Sequence, residues 1–341
     1  MDSNMQAIVC TEPSVLSRTT RPLPAPTAGQ VLIKVQALGI CGSDIHAFHG
    51  RQPMFSYPQV MGHEISGQVI SVGASVSSIT PGQQVIVIPY AHCGHCAACR
   101  RGKTNCCTSL SVMGVHRGGA LQEYIVVDEK YLVAVDGLAH TTAALIEPYA
   151  ISAHAVRRSG LASGDQVLIV GAGAIGLAAA DISRALGAQV ILAETNPERL
   201  AAAANRYEFS QCLNPLNSTF DQQLKDMTDG NGPVIIIDAT GNPASMNSQI
   251  NSLAAGGTLV FVGLHSGEVQ FNDLAFHKRE TTLCGSRGAT REDFQTVIDL
   301  AATGKIRLVQ LCSLTVPFNQ LDQTEFVKLA SPEVIKAVIT F

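Results

Sequence analysis

Apolar and polar residues alternate over positions 31–38 and again over 65–72, and a third apolar run, 84–90, follows the pair Pro81-Gly82. Successive side chains of a strand point to opposite faces, so this period of two predicts half-buried strands separated by turns. Connections of uneven length between them predict an irregular barrel rather than a layered sheet. Pro22, Pro24 and Pro26 hold the early connection extended, because the ring fixes φ and restricts the residue before it. Positions 141–158 are apolar on most faces and predict a helix that breaks at Ser159-Gly160.

From position 166 the pattern changes. Continuous apolar runs at 167–170, 189–193, 234–238 and 258–262 are separated by helical segments, as in parallel strands covered on both faces. The run 258–262 is expected at a subunit edge. Beyond 286 come a helix over 291–303, a strand near 311–316, another helix and a final strand over 334–341. That tail is too short for a domain of its own and is expected to return to the first. The predicted division is therefore a first domain over 1–150 completed by 287–341, and a second over 151–286.

The 341 residues suffice for two cores, and 46% apolar with 15% charged residues leaves little room for disorder. A net charge of −4, without a basic face, argues against nucleic acid as a partner. The first residues lack the basic and apolar blocks of a signal peptide, and no apolar run reaches membrane-spanning length. A cytoplasmic location follows as an expectation, and in a reducing compartment ten cysteines favour metal ligation over disulfides.

Four of them, Cys93, Cys96, Cys99 and Cys107, follow a C-x2-C-x2-C-x7-C spacing in a polar, turn-rich loop. Such thiolates converge on one tetrahedral zinc, and a closed four-sulfur site holds structure and does no chemistry. Gly171-Ala-Gly173-Ala174-Ile175-Gly176 directly follows a predicted strand and opens a predicted helix. Its glycines permit the tight turn and close approach of backbone to a pyrophosphate at the helix N-terminus. Glu194 ends the next strand, where an acid grips ribose hydroxyls and repels a 2′-phosphate, so NAD is expected over NADP. Cys41-Gly-Ser43-Asp44-Ile-His46 stands at a strand end, Gly62-His63-Glu64 follows, and Glu147 opens an apolar helix. Singly, these are a small buried thiol, a core histidine and a helix-start acid. Those readings do not explain why thiolate, imidazole and carboxylate accompany a dinucleotide loop.

Gly62-His63-Glu64-x2-Gly67-x5-Gly73, taken with Cys41-Gly-Ser-Asp-x-His46 and the four-cysteine loop, resembles the zinc-containing medium-chain dehydrogenases over essentially the whole chain. Glu147-Pro148 resembles their polyol branch. Phe55-Ser-Tyr-Pro58, Gly114-Val-His116 and the stretches 147–158 and 276–282 resemble members acting on sugar acids of the L-galactonate kind. The resemblance implies an α/β chain: a GroES-like β-barrel catalytic domain and a Rossmann, doubly wound parallel-sheet domain, with the active cleft between them. It implies two zinc ions per chain. The structural one is completed by Cys107 rather than Cys106. The catalytic one is held by Cys41, His63 and either Glu64 or Glu147, with Asp44 orienting the histidine. Ser43, His46 and Glu147 would handle the proton. Arg199, Val262, Ser286 and Arg287 are further expected cofactor contacts.

The expected reaction is hydride transfer from a secondary hydroxyl of a sugar acid to NAD, giving a keto-aldonate. A guanidinium should meet the substrate carboxylate, and Arg51 and Arg117 are the candidates, with His49 and His116 beside the hydroxyls. Ala120-Leu121 departs from the Gly-Gly-Phe pattern usual in relatives and removes an aromatic from one expected pocket wall. A neutral polyol is the rival substrate. A non-catalytic NAD-binding redox sensor is the rival of another class, and would predict a damaged metal site. The remaining Cys10, Cys212, Cys284 and Cys312 are expected in strands of the core. The chain is expected to form a homodimer or homotetramer, with a small molecule as its other partner and no membrane.

Overall fold

The computed structural model describes residues 3–341. The chain forms two compact units, Met1–Glu147 with Cys312–Phe341, and Pro148–Leu311. In the first, the strand Gln30–Ile40 is the spine of a seven-stranded sheet. Along one edge it pairs with Ala337–Thr340 at its C-terminal end and with Tyr124–Asp128 at its N-terminal end. Along the other it pairs with Glu64–Val72, which continues to Gln84–Val87 and Leu132–Ala134. Register shifts at Leu32/Ile33 and Val35/Ala37 mark bulges, which bend and twist a sheet toward closure. Val31, Ile33, Val35 and Leu38 are fully buried, so both faces of the spine meet side chains, as in a filled barrel. A separate antiparallel hairpin, Asn4–Glu12 with Val15–Pro22, precedes it.

The second unit is a six-stranded, all-parallel sheet. Its spatial order is Cys212–Leu213, Gln189–Ala193, Gln166–Val170, Ile235–Asp238, Thr258–Phe261, Thr282–Gly285. This is the doubly wound order, reversing between Gln166–Val170 and Ile235–Asp238. The expected subunit-edge strand proves interior. Thr258–Phe261 is paired on both sides, with Leu259 and Val260 buried, and the edge belongs to Thr282–Gly285.

The chain leaves this unit at Cys312, not at 287. The helix Arg291–Ala302 stays with it because buried Asp293 accepts from His154 Nδ1 at 2.9 Å and from Arg157 Nε at 2.8 Å. Arg307 N also donates to Asp181 at 2.6 Å. The predicted helix over 141–158 is two, His140–Ala143 and Ile146–Ser159. Of the four expected core cysteines, Cys10 is buried, Cys212 and Cys284 are half-buried in strands, and Cys312 is half-buried outside one. No helix among the described residues is long and apolar enough to cross a membrane.

Candidate metal and cofactor sites

Cys41 directly follows the spine strand and caps the helix Gly42–Phe48. Asp44, three residues on, accepts from Cys41 N at 2.9 Å with one oxygen and from Gly62 N at 3.0 Å with the other. One wholly buried carboxyl thus ties the cysteine turn, which follows the strand Gln30–Ile40, to the Gly62-His63-Glu64 segment, which leads into the strand Glu64–Val72. Its hydrogen bonds go to the backbone amides of Cys41 and of Gly62, next to His63, rather than to the imidazole, a different route to the positioning role expected of it. Burial pushes the Asp44 carboxyl up, while His63 and the two amides pull it down.

Cys41, His63 and Glu64 bring one sulfur, one ring nitrogen and one carboxylate oxygen within 4.8 Å of one another. Glu64 is fully buried. Its Oε1 accepts from Lys336 Nζ at 2.6 Å, whereas its Oε2 has no partner. Its seat exists because residue 39 is glycine: a Cβ there would lie 2.0 Å from Oε2. Glu147 is held by one oxygen to the Tyr90 hydroxyl and leaves its Oε2 unpartnered. Burial pushes the Glu147 carboxyl up to about 7, opposed by His63. His63 Nδ1 and Ser43 Oγ are also buried without a partner. Unpaired buried polar atoms are costly. An unpartnered imidazole nitrogen and carboxylate oxygen beside the half-buried Cys41 thiol form the donor set of a zinc ion with an open position. Glu64, and not Glu147, belongs to the 4.8 Å set.

His46 is exposed, and partial burial, with Arg51 and His49 nearby, keeps its imidazole toward the neutral form. Arg51 and His49 are exposed as well. His116 is exposed but turned back, its Nδ1 accepting from Val112 N at 3.0 Å. Arg117 is half-buried, and burial lowers its pKa against the pull of Tyr131 and Asp128, so its acidic neighbour belongs to the sheet. The segment behind it is fixed: Gly119 N donates to Val60 O at 2.8 Å and Ala120 N to Gly62 O at 2.9 Å. Ala120 and Leu121 are wholly buried core residues.

The four loop cysteines likewise lie within 4.8 Å of one another. Backbone amides point at the sulfurs: Cys93 N reaches Cys107 Sγ at 3.3 Å, Cys96 N reaches Cys93 Sγ at 3.4 Å, and Ser109 N reaches Cys107 Sγ at 3.3 Å. Such donors favour thiolates, and amides of Cys99 and Thr108 bring the Cys96 thiol down to about 5. Cys106 is exposed and outside the set, while Cys107 is buried within it.

In the parallel-sheet unit, Gly171 follows the strand with φ +98° and Gly173 caps the helix Ala174–Ala185. A Cβ on Gly176 would lie 1.7 Å from Gly171 O, which fixes the close helix–turn packing. Glu194 Oε2 accepts from Ala172 N at 2.7 Å and Oε1 from Asn196 N at 2.8 Å, so the acid braces the glycine turn from the next strand. Arg199 enters the following helix, Val262 and Ser286 follow the fifth and sixth strands, and Arg287 is exposed beside them. Ser286 Oγ is buried without a partner. All stand at or beyond C-terminal strand ends, the side of such sheets on which nucleotides bind. Sequence reading missed Asp238 and Thr240 there, Thr240 approaching Gly171 and donating to Asp238 Oδ1 at 2.6 Å. It also missed Lys336 and Tyr90. A lysine opening an otherwise apolar terminal run was the one visible signal for Lys336.

A barrel carrying one closed and one open zinc donor set, joined in sequence to a dinucleotide sheet, defines a zinc-dependent, nicotinamide-linked oxidoreductase. Comparison with known proteins makes this specific. Residues 27–137 match the alcohol dehydrogenase GroES-like domain and residues 174–303 the zinc-binding dehydrogenase domain, and the chain belongs to this zinc-type alcohol dehydrogenase family. It is 48% identical over 340 residues to L-galactonate-5-dehydrogenase of Escherichia coli, covering 99% of this chain and 100% of that one. Among solved structures, the E. coli alcohol dehydrogenase RspB, complexed with NADH, superposes with a TM-score of 0.92 at 32% identity, covering 99% of this chain and 100% of that one. L-Idonate 5-dehydrogenase of E. coli gives 0.87 at 26% identity, covering 99% of this chain and 98% of that one.

Proposed function

We propose that this enzyme oxidises a secondary hydroxyl of an L-galactonate-like sugar acid to a keto-aldonate, with NAD as hydride acceptor. The convergence of Cys41, His63 and Glu64, whose Oε2 is buried without a partner, carries the reading, and the full-length similarity to an L-galactonate dehydrogenase supports the substrate class. Cys41, His63 and Glu64 would hold the catalytic zinc, which when bound supplies Lewis acidity toward the substrate hydroxyl. Cys93, Cys96, Cys99 and Cys107 would hold the second zinc and order the loop.

The protein's own work is placement and proton handling. Asp44 fixes the two backbone segments that bear the ligands. Ser43 Oγ, buried and free to donate or accept, takes the hydroxyl proton and His46, exposed and kept toward neutral, passes it to solvent. Glu147, with a pKa of about 7 and one oxygen on Tyr90, stands as a second proton acceptor. Gly171 to Gly176 receive the pyrophosphate on helix amides. Glu194 accepts the ribose hydroxyls in place of a 2′-phosphate, and Arg199, Val262, Ser286 and Arg287 line the same rim.

The substrate carboxylate falls to Arg51, whose guanidinium is exposed, with His116 and Arg117 as further contacts. A neutral polyol remains the second reading, because Arg117 already has Asp128 for company. The ten free cysteines support a reducing cytoplasm, and exposed Leu264, Phe271 and Leu274 support a homo-oligomer.

A panel of galactonate, idonate, sorbitol and 2,3-butanediol with NAD and NADP tests the assignment. The sugar acids should give the highest kcat/KM with NAD. Arg51→Ala and Arg117→Ala should then raise KM for a sugar acid far more than for sorbitol. Equal effects on both substrates would remove the carboxylate reading.

A further inference from the structure

Lys336 is the residue before the strand Ala337–Thr340, whose Ala337 pairs with Ile40 at the end of the spine. It is only 5% exposed, a rare condition for a lysine. Its Nζ donates to Ile40 O at 3.0 Å and to Glu64 Oε1 at 2.6 Å. An ammonium and a carboxylate withdrawn from water this far stabilise a fold little, since desolvation offsets most of their attraction. Stability alone therefore gives no reason for the pair.

Its asymmetry does. Oε1 of Glu64 is occupied by Lys336, while Oε2 is buried without a partner, and the carboxylate offers one oxygen to the set with Cys41 and His63. Gly39 leaves room for Oε2, since a Cβ at residue 39 would lie 2.0 Å from it. Glu147 is tethered in the same one-oxygen manner, but by the neutral phenol of Tyr90. The two acids thus differ in the charge of what holds them, and only the lysine-held one reaches the other two donors.

We propose that Lys336 is a positioning residue of the metal centre: by holding Oε1 it presents Glu64 to the metal through Oε2 alone, and so makes Glu64 rather than Glu147 the carboxylate ligand. The ammonium also draws charge from the carboxylate, which leaves the metal the stronger Lewis acid. Partners of this kind behind a ligand change metal affinity by about 10–100-fold when removed. The inference rests on Cys41, His63 and Glu64 forming the open zinc site.

Zinc loss to a chromogenic chelator tests it, followed on the purified holoenzyme at one pH. Wild type should release two zinc ions in two phases, one absent in Cys41→Ser and the other absent in Cys107→Ser. A wild type that binds one zinc, or a Cys41→Ser variant that still binds two, would refute the site itself and not merely the lysine's part in it. With that established, Lys336→Met should speed the Cys41 phase about tenfold or more and leave the four-cysteine phase unchanged. Lys336→Arg, which keeps the charge with altered reach, should fall between the two. In a Glu64→Gln background Lys336→Met should have no further effect. Unchanged release from Lys336→Met, equal acceleration of both phases, or an effect that persists in Glu64→Gln overturns the proposal. Should Lys336→Met not fold, equal rates in wild type and Lys336→Arg overturn it as well.

Discussion

Replacing Gly39 by alanine gives the sharpest test of how the open site is built. Gly39 faces Glu64 across the antiparallel pair of Gln30–Ile40 and Glu64–Val72. Its φ is not left-handed, so alanine is opposed by volume and not by backbone strain. The added carbon would lie 2.0 Å from Glu64 Oε2 and 2.9 Å from Glu64 Cβ, far inside contact distance. Both strands are central to the sheet and cannot part cheaply, so the carboxylate must swing away. Lys336 then stays buried without its counter-ion, and breaking a buried pair costs about 3–5 kcal/mol. Urea unfolding of Gly39→Ala should show a loss of that order, and metal analysis should find one zinc per chain instead of two. Glu64→Ala removes the far end of the clash and the ion pair together, so adding Gly39→Ala to it should cost much less than in wild type. A Gly39→Ala enzyme that keeps both zinc ions and unfolds within about 1 kcal/mol of wild type would refute the reasoning.

Other outcomes follow from the remaining sites. Cys107→Ser should lose the loop zinc and lower Tm, while Cys106→Ser should leave metal content and Tm unchanged; calorimetry with metal analysis reads both. Asp293 is held well below the usual carboxylate range, with burial opposed by His154, Arg157 and Thr290. A depressed carboxyl contributes stability that is present above its unfolded pKa of about 3.9 and disappears as pH falls toward the folded value. Asp293→Asn should therefore cost about 1–3 kcal/mol at neutral pH, a gap that closes in denaturation curves taken below about pH 5; a gap constant down to pH 3 contradicts it. Glu194→Ala frees the Ala172 amide and should raise KM for NAD about tenfold or more while raising that for NADP less. Equal changes for both cofactors would separate Glu194 from ribose selection.

Much of this architecture is legible in the residues because its determinants are local. The two-residue alternation over 31–38 and 65–72 and the apolar runs from 166 onward report which faces are buried, and the strands appear within a few residues of them. The four-cysteine loop is equally legible, its ligands standing within one short segment. What stays hidden depends on partners distant in sequence. Nothing near Glu64 in the chain announces Lys336, which arrives 272 positions later. Nothing at Gly39 distinguishes a glycine kept for a neighbour's carboxylate from one kept for a turn. The boundary expected at 287 fell instead at 312 because Asp293 and Arg307 are anchored by His154, Arg157 and Asp181, contacts that no periodicity encodes. The break between the helices His140–Ala143 and Ile146–Ser159 falls in the apolar stretch 143–146, which reads alike whether a helix runs on or restarts.

The late arrival of Lys336 has a bearing on biosynthesis. Chains fold as they emerge from the ribosome, earlier segments first. The loop thiols and the whole parallel sheet are out of the exit tunnel before the closing strand of the barrel is made. Nascent protein can therefore take up its first metal early, while the reactive centre waits for the segment that bears Lys336. An interrupted polypeptide would carry a loaded knuckle and a formed nucleotide fold, yet hold Glu64 without its cation and perform no oxidation.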